Sequence, residues 1–254
     1  MIDTHTHLYL PDFKDNISEI ILNCISNKIH HLVLPNIDFE SLYQMKELHE
    51  QYPDMTSMAI GLHPTEVEED WLKFMDILEV ELQTGKYKAV GEIGMDLYWD
   101  KTFAEQQKNA FEYQIKIAEK YNLPIIIHCR SALQETLEII KKIKPSINMI
   151  FHSFTGSKED VKAIRKICDP YFGINGVITY KNANDLREAL PEIGIERIVL
   201  ETDSPYLTPV PYRGKQNNSS YLIHIKDKVA ETLQIPSEEA EQITDKTAEA
   251  IFNL

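Results

Sequence analysis

Short, continuous runs of apolar residues recur along the chain and alternate with longer stretches in which apolar residues return every three or four positions. The short runs show little polar alternation, as in IIIH at 125–128 and RIVLE at 197–201. Such runs are typical of parallel strands that are buried on both faces. We therefore predict eight strands, at Met1–Thr6, Ile29–Asn36, Met55–Leu62, Ala89–Gly94, Pro124–His128, Asn148–His152, Tyr171–Asn175 and Arg197–Glu201.

The stretches between these runs predict helices. Residues 68–82, 104–121 and 131–143 carry apolar side chains at three- and four-residue spacing, which is the pattern of a helix with one buried face. Each predicted strand is followed by such a stretch. Eight strand–helix units in one domain indicate a closed TIM (β/α)8 barrel of the α/β class over residues 1–254, with a doubly wound open sheet as the alternative.

Two predicted helices also show start signals. The segment SKED begins with Ser157 and continues with two acids, which predicts an N-cap followed by an acidic first turn. Residues after Pro236 predict an extra C-terminal helix beyond the eight units, with Ser237 as its N-cap.

Composition limits the class of protein. The hydrophobic fraction is 43%, with 12 Tyr and 9 Phe, so the chain can build a full core without disulfides or structural metals. We see no basic leader and no stretch near the roughly 18 apolar residues of a membrane-spanning helix. The three cysteines are far apart and lack CxxC spacing, which favours a reducing, cytoplasmic location.

The net charge of −14 excludes a globally basic surface for duplex binding. It does not exclude a nucleic-acid substrate, because bound divalent cations would invert the field inside one pocket. Nothing in the sequence indicates a membrane or an obligate protein partner.

Residues able to bind metals stand at the ends of several predicted strands. In a β/α barrel the carboxyl ends of the strands meet on one face, so residues scattered along the chain would converge there. Any one of these histidines has an ordinary explanation as a hydrogen-bonded core residue, whereas a carboxylate in an apolar strand needs a partner. The set comprises His5, His7, Glu92, His128, His152 and Asp203.

Four imidazoles and two carboxylates form a mixed ligand set. Imidazole suits Zn and several other transition metals, and carboxylates also suit Mg and Mn. Six residues exceed the roughly three protein ligands of one catalytic zinc, so two divalent cations that share a carboxylate fit better. Such a pair suits hydrolysis of a phosphodiester, an amide or a lactone, and the ligands alone do not choose among these.

At these residues the sequence resembles the TatD family of metal-dependent deoxyribonucleases, within the amidohydrolase superfamily. The resemblance spans essentially the whole chain and rests on seven motifs in the family's order. They are DTHTHL (3–8), GLHP (61–64), GEIGMD (91–96), LPIIIHCRSA (123–132), HSFTG (152–156), ETDSPYLTP (201–209) and RGKQN (213–217).

The resemblance implies two ions with Glu92 as the bridging ligand. The first would be held by His5, His7, Glu92 and Asp203, and the second by Glu92, His128 and His152. Asp203 would also accept a proton from the attacking water. The implied activity is removal of nucleotides from single-stranded DNA, typically from the 3′ end and commonly with Mg²⁺, and RNA is also a substrate in some members.

Other motif residues are candidates for substrate contact. His63 would donate to a scissile phosphate oxygen, with a capping role as its alternative. Arg130 would contact a phosphate unless the turn after its strand directs it into ion pairs within the barrel. A polar loop after the eighth strand carries Arg213, Lys215 and Asn217, which would bind further phosphates. The alternative is an ordinary solvated loop.

Aromatic residues in the loop after the fourth strand allow a further interpretation. Tyr98 and Trp99 would stack on unpaired bases, or they would simply pack the loop.

The leading hypothesis is therefore a metal-dependent nuclease that acts on single-stranded DNA. The acidic composition leaves open a hydrolase of a small amide, ester or phosphoester. A non-enzymatic, metal-bound interaction protein is a third hypothesis, which the full set of ligands argues against.

Overall fold

Eight strands pair in parallel and in sequence order in the computed structural model, which describes residues 1–254. They are β1 (Ile2–Asp3), β2 (His31–Pro35), β3 (Thr56–Ile60), β4 (Tyr87–Asp96), β5 (Ile125–Arg130), β6 (Met149–Phe151), β7 (Tyr171–Ile174) and β8 (Ile198–Leu200). The helices are α1 (Ile17–Ser26), α2 (Phe39–Gln51), α3 (Leu72–Leu82), α4 (Ala104–Tyr121), α5 (Leu133–Ile143), α6 (Lys158–Arg165), α7 (Asn184–Ile193), α8 (Leu222–Leu233) and α9 (Ser237–Phe252). Short 3-10 helices lie at Pro11–Phe13, Pro64–Glu66, Gly176–Thr179, Ile195–Arg197 and Ser219–Tyr221.

Hydrogen bonds at the carboxyl ends of the first and last strands close the sheet into a barrel. The amide of Thr4 donates to the carbonyl of Leu200 at 2.9 Å, and the amide of Asp203 donates to the carbonyl of His5 at 2.9 Å. The closed TIM-type barrel with an extra C-terminal helix is therefore confirmed, and the doubly wound sheet is excluded.

The interior of the barrel is apolar at one end and polar at the other. Alternate strand residues point inward, and the apolar level consists of Ile2, Val33, Ala59, Ala89, Ile126, Ile150 and Val199. Helix α9 covers this end through Ala248, Ile251 and Phe252.

After β5, β6 and β8 pass the apolar level, the next inward position towards the carboxyl end carries a His or Glu. His128 follows Ile126, and His152 follows Ile150, each at an interval of two residues along the chain. Glu201 follows Val199 in the same way. The extra helix thus blocks one end of the barrel, and the polar side chains gather at the other.

The structure confirms one of the two predicted helix N-caps and corrects the other. The N-cap at Ser157 is confirmed, because its hydroxyl accepts from the amide of Asp160 in a capping box. The N-cap at Ser237 is wrong: Pro236 precedes the helix, and the Ser237 hydroxyl donates to Asp227 Oδ1 at 2.5 Å instead. None of the helices combines the length and the apolar character that crossing a membrane requires.

Candidate metal centre

A cavity of about 710 Å³ opens at the carboxyl ends of the strands. Five of the six predicted ligands line its wall, together with His63. The sixth ligand, His5, is fully buried beside them, with its ring stacked on that of His152 at a centroid separation of 3.5 Å. The structure therefore brings all six predicted ligands together, although they are spread over the whole chain.

Glu92 lies at the centre of the cluster, and its two oxygens face different sets of imidazoles. Its Oε2 lies 3.2 Å from His5 Nε2 and 3.9 Å from His7 Nε2. Its Oε1 lies 2.7 Å from His128 Nδ1 and 3.4 Å from His152 Nε2. A carboxylate with donors on both sides has the arrangement of a bridging ligand.

The charge state of Glu92 follows from these neighbours. Burial by itself would raise the pKa of its carboxyl group, but the His152, His63 and His5 imidazoles and a hydrogen bond from His128 hold that pKa well below its usual value. Glu92 is therefore ionised, although only 3% of its surface is exposed.

Asp203 borders the same imidazoles from the loop after β8. Its Oδ1 lies 3.6 Å from His7 Nε2, 3.8 Å from His5 Nε2 and 3.9 Å from His152 Nε2. Burial would raise the pKa of this carboxyl group, but the neighbouring His152 and His5 lower it. Asp203 thus remains an ionised acceptor that lines the cavity.

His63 has the capping role that was the alternative to phosphate contact, because its Nδ1 accepts from the amide of Thr65 at the start of the 3-10 helix Pro64–Glu66. The same ring also lies against the cluster. Its Nε2 is 3.2 Å from His128 Nδ1 and 3.5 Å from Glu92 Oε1, and its Nδ1 is 2.6 Å from the Thr65 hydroxyl. Burial lowers the pKa of the His63 imidazole. His63 is therefore a further potential ligand on the Oε1 side of Glu92.

Potential ligand atoms fall into three compact groups, in each of which they all lie within 4.8 Å of one another. One group contains His5, His7 and Glu92, which are three of the four ligands of the first predicted site, and does not include Asp203. The second contains His63, Glu92 and His128, and the third contains His5, His152 and Glu201. His152 faces Glu92 but does not join His128 in one group, and Glu201 takes part without having been predicted.

Tyr9 fixes the tautomer of His7, and sequence reasoning missed it. A carbonyl oxygen can only accept a hydrogen bond, so the Tyr9 hydroxyl donates its proton to the carbonyl of Pro35 at 2.5 Å. The same hydroxyl lies 2.7 Å from His7 Nδ1 and must accept its proton. The lone pair of His7 is therefore on Nε2, which points into the cluster.

Asp96 supports His128 from the end of β4. Its Oδ2 lies 2.9 Å from His128 Nε2, while His128 Nδ1 faces Glu92. Burial by itself would lower the pKa of this imidazole, but the hydrogen bonds to Asp96 and Glu92 raise it. The signal for Asp96 in the sequence was an acid at the end of an apolar strand.

Glu201 supports His152 in a similar way. Its Oε1 lies 3.1 Å from His152 Nδ1, close but not aligned for a hydrogen bond, and accepts from the amide of Ser153 at 2.6 Å. Burial would lower the pKa of His152, but Glu201, Glu92 and Asp203 raise it to about 10.

The neighbouring strand β7 makes room for the Glu201 carboxylate at Gly173. A Cβ added at Gly173 would lie 2.2 Å from Glu201 Oε2, so only glycine leaves that space.

A buried network joins the two chain segments that carry His5 and Asp203. Asp3 Oδ1 accepts from the Thr202 amide at 2.9 Å, and Oδ2 accepts from the Thr202 hydroxyl at 2.6 Å. Burial raises the pKa of the Asp3 carboxyl group to about 7, against the effect of these hydrogen bonds. Beyond the short β1, hydrogen bonds from Thr6 and His7 to the segments on either side keep this part of the chain in position.

The donor set fits divalent cations. Its carboxylates have imidazoles as their only ion-pair partners, with no Lys or Arg within reach; they are Glu92, Asp96, Glu201 and Asp203. Buried negative charge without a permanent cation is costly. Imidazole nitrogens that converge on such carboxylates form the mixed set that Zn and Mn accept, while Mg favours the carboxylates.

Arg130 reaches the cavity but does not form the ion pairs considered for it. Strand β5 continues to this residue, and its guanidinium lies over the rings of Tyr98 and Trp99, at 4.1 and 5.1 Å from their centroids. Arg130 and Trp99 both line the cavity. The aromatic pair therefore holds the arginine at the rim.

The predicted loop contacts at 213–217 lie outside the cavity. Arg213 is exposed and its guanidinium stacks on Tyr180 at 4.1 Å, and Lys215 is exposed near the ring of Tyr212. Asn217 is fully buried, and its amide nitrogen donates to the carbonyls of Thr202 and Tyr206. Its side chain ties the loop together and does not face the site.

Comparisons with known proteins extend over the whole chain. A family model described as TatD related DNase matches residues 2–253. A protein of Bacillus subtilis named as an uncharacterized metal-dependent hydrolase, YabD, is 35% identical over 261 residues, which cover 100% of this chain and 99% of that protein. The crystal structure of YjjV, a TatD homolog from Escherichia coli, has a TM-score of 0.90 and 26% identity, and the match covers 100% of this chain and 98% of that one.

Proposed function

The chain belongs to the family of TatD-related DNases, metal-dependent hydrolases of the amidohydrolase superfamily, and on this premise we propose that it hydrolyses phosphodiester bonds of single-stranded DNA, from the 3′ end, with two divalent cations. The position of Glu92 is the observation that carries the proposal. One of its oxygens faces His5 and His7, and the other faces His128, His152 and His63.

The position of Glu92 supports a proposal of two neighbouring ion sites. The first would use His5, His7 and Asp203, and the second would use His128 and His152, with Glu92 common to both. Divalent cations bound there would stabilise negative charge on the phosphodiester and acidify the attacking water.

The protein's own residues would move the protons. Asp203 is ionised, lines the cavity and would accept a proton from the attacking water. His63, held at Nδ1 by Thr65, would orient a phosphate oxygen or join the second ion site. Asp96 and Glu201 would keep His128 and His152 in the orientation that binding requires.

The charge distribution supports local contact with a single strand. Among the residues that line the cavity, Arg130 is the one permanent cation, and the chain as a whole carries a net charge of −14. A long electrostatic track for duplex DNA is therefore not expected, and recognition would depend on the cations and on a few groups at the rim.

The positions of Arg213 and Lys215 favour a second candidate function. Both side chains are exposed and stay outside the cavity, so the site would also accept a small amide, ester or phosphoester. A non-enzymatic role has no comparable support, because an interaction protein does not need converging metal ligands whose imidazoles are oriented by further carboxylates.

A digest of end-labelled nucleic acids separates these functions. We expect the purified protein to shorten single-stranded DNA from the 3′ end with Mg²⁺ or Mn²⁺, to act more slowly on duplex DNA, and to lose activity in excess chelator; Zn²⁺ and single-stranded RNA are further arms. Full activity in chelator would overturn the metal mechanism. Hydrolysis of small esters or amides, with every nucleic acid left intact, would favour the second candidate.

A further inference from the structure

Two large aromatic side chains lie exposed beside the cavity, and one of them, Trp99, lines it. Tyr98 and Trp99, in the loop between β4 and α4, are 56% and 69% exposed, and their rings meet edge to face with centroids 4.9 Å apart. Packing of the loop does not explain them, because more than half of each side chain remains in contact with water. We call these two residues, together with Arg130, the rim platform.

The rim platform has a fixed position relative to the candidate metal centre. Asp96 Oδ1 accepts from the amides of Tyr98 and Trp99, at 2.9 and 3.4 Å. The other oxygen of the same carboxylate lies 2.9 Å from His128 Nε2. One side chain thus orients both a predicted ligand and the loop that carries the aromatic pair.

Arg130 completes the platform from the adjacent strand. Its guanidinium lies over both rings, and no carboxylate lies within ion-pair distance of it. A guanidinium that stacks through its plane keeps the N–H groups at its edge free to donate to a phosphate. The platform therefore combines aromatic surface with a phosphate donor.

We propose that the rim platform binds one unpaired nucleobase on Trp99 and the adjoining phosphate at Arg130, and that it thereby selects single strands. The proposal rests on the proposed function, because it identifies where that substrate is held. A base in a duplex has both faces covered by its neighbours and cannot stack on Trp99, whereas an unpaired base has a free face.

Trp99 itself provides the test, because the chain has two tryptophans. In the full-length Trp71→Phe protein, Trp99 is the sole source of tryptophan fluorescence. A short single-stranded DNA oligonucleotide with phosphorothioate linkages, which slow its hydrolysis, is titrated in Mn²⁺ buffer. The same strand with abasic residues, and its duplex, are titrated in parallel.

We expect the single strand to quench Trp99 fluorescence to saturation and the abasic strand to bind roughly five- to 150-fold more weakly for each missing base that would stack. The duplex should quench little. Equal quenching and affinity for the intact and abasic strands, or quenching by the duplex that equals that of the single strand, would overturn the proposal.

A second measurement covers the case in which Trp71→Phe does not fold. Trp99→Ala should raise KM for the intact single strand more than KM for the same strand with abasic residues, which keeps the phosphates but has no ring to stack on Trp99. Tyr43→Ala is the matched control, because Tyr43 is 68% exposed on α2 and does not line the cavity. Equal effects of Trp99→Ala on both substrates would argue against a base site.

These outcomes separate the platform from the proposed function. Base-dependent quenching in a protein that hydrolyses no nucleic acid would support the platform and contradict the nuclease function. Hydrolysis of intact and abasic strands at equal rates, without quenching, would support the nuclease function and contradict the platform.

Discussion

The substitution Tyr9→Phe removes one hydroxyl and tests whether an internal hydrogen bond sets the affinity for metal. It leaves two buried groups without a partner, the carbonyl of Pro35 and Nδ1 of His7. Each such loss costs about 1–3 kcal/mol in the free energy of unfolding. The change also frees His7 to move its proton from Nδ1 to Nε2, the nitrogen that points towards Glu92.

The expected loss of metal affinity follows from this second effect. Removing a partner that orients a histidine ligand lowers affinity by about 10- to 100-fold, which corresponds to roughly 1.4–2.8 kcal/mol. We expect isothermal titration of the chelator-treated protein with Mn²⁺ to show this loss. Nitrogen NMR of the metal-free protein should show His7 protonated at Nδ1 in the unmodified chain, and a mixture of tautomers in the variant.

Tyr87→Phe is the matched control. The Tyr87 hydroxyl donates to Glu81 Oε2 at 2.6 Å, and the residue is 4% exposed at the start of β4, far along that strand from the metal centre. Both variants should unfold at lower denaturant concentration, but only Tyr9→Phe should lose affinity for Mn²⁺. Unchanged affinity and an unchanged His7 tautomer in Tyr9→Phe would refute the reasoning and leave Tyr9 a purely structural role.

Three other substitutions test separate parts of the site. Glu92→Gln keeps the shape of the side chain but removes its charge, so hydrolysis of labelled oligonucleotide should fall more than about 100-fold. The far-ultraviolet circular dichroism spectrum should be unchanged, and an active variant would contradict the bridging role. Gly173→Ala introduces a methyl group 2.2 Å from Glu201 Oε2, so the affinity for Mn²⁺ should fall because that carboxylate is displaced from His152. If titration gives the same affinity for the variant and the unmodified protein, Glu201 does not support the site. Arg213 is exposed outside the cavity and would reach only phosphates beyond the scissile one, so Arg213→Ala should raise KM for a long single strand more than KM for bis(p-nitrophenyl) phosphate. Identical changes in the two steady-state assays would argue against phosphate contact by this loop.

Much of the fold could be predicted because its signals are local or periodic. Helix α4 has the bounds that its apolar spacing predicts, Ala104–Tyr121. Strand β1 is shorter than predicted, since only Ile2 and Asp3 pair with β2, and the chain beyond them bonds to β2, to the end of β8 and to the loop that follows β8. Strand boundaries depend on such pairing, which a single apolar run does not specify.

The candidate ligands could be predicted because each stands near the end of a predicted strand, and the barrel brings those ends together. The residues that orient them were harder to identify. Tyr9 acts through a backbone carbonyl on another strand, so the sequence carries no signal for it. The role of Asn217 could not be predicted, because the sequence does not show whether an asparagine side chain bonds to a substrate or to the backbone of its own loop.

The central claim is that Glu92 joins two cation sites, and anomalous diffraction from crystals soaked in Mn²⁺ tests it most directly. We expect two anomalous peaks, one on each side of the Glu92 carboxylate, the first beside His5, His7 and Asp203 and the second beside His128 and His152. A single peak remote from Glu92, or no peak among these imidazoles at saturating Mn²⁺, would contradict the claim.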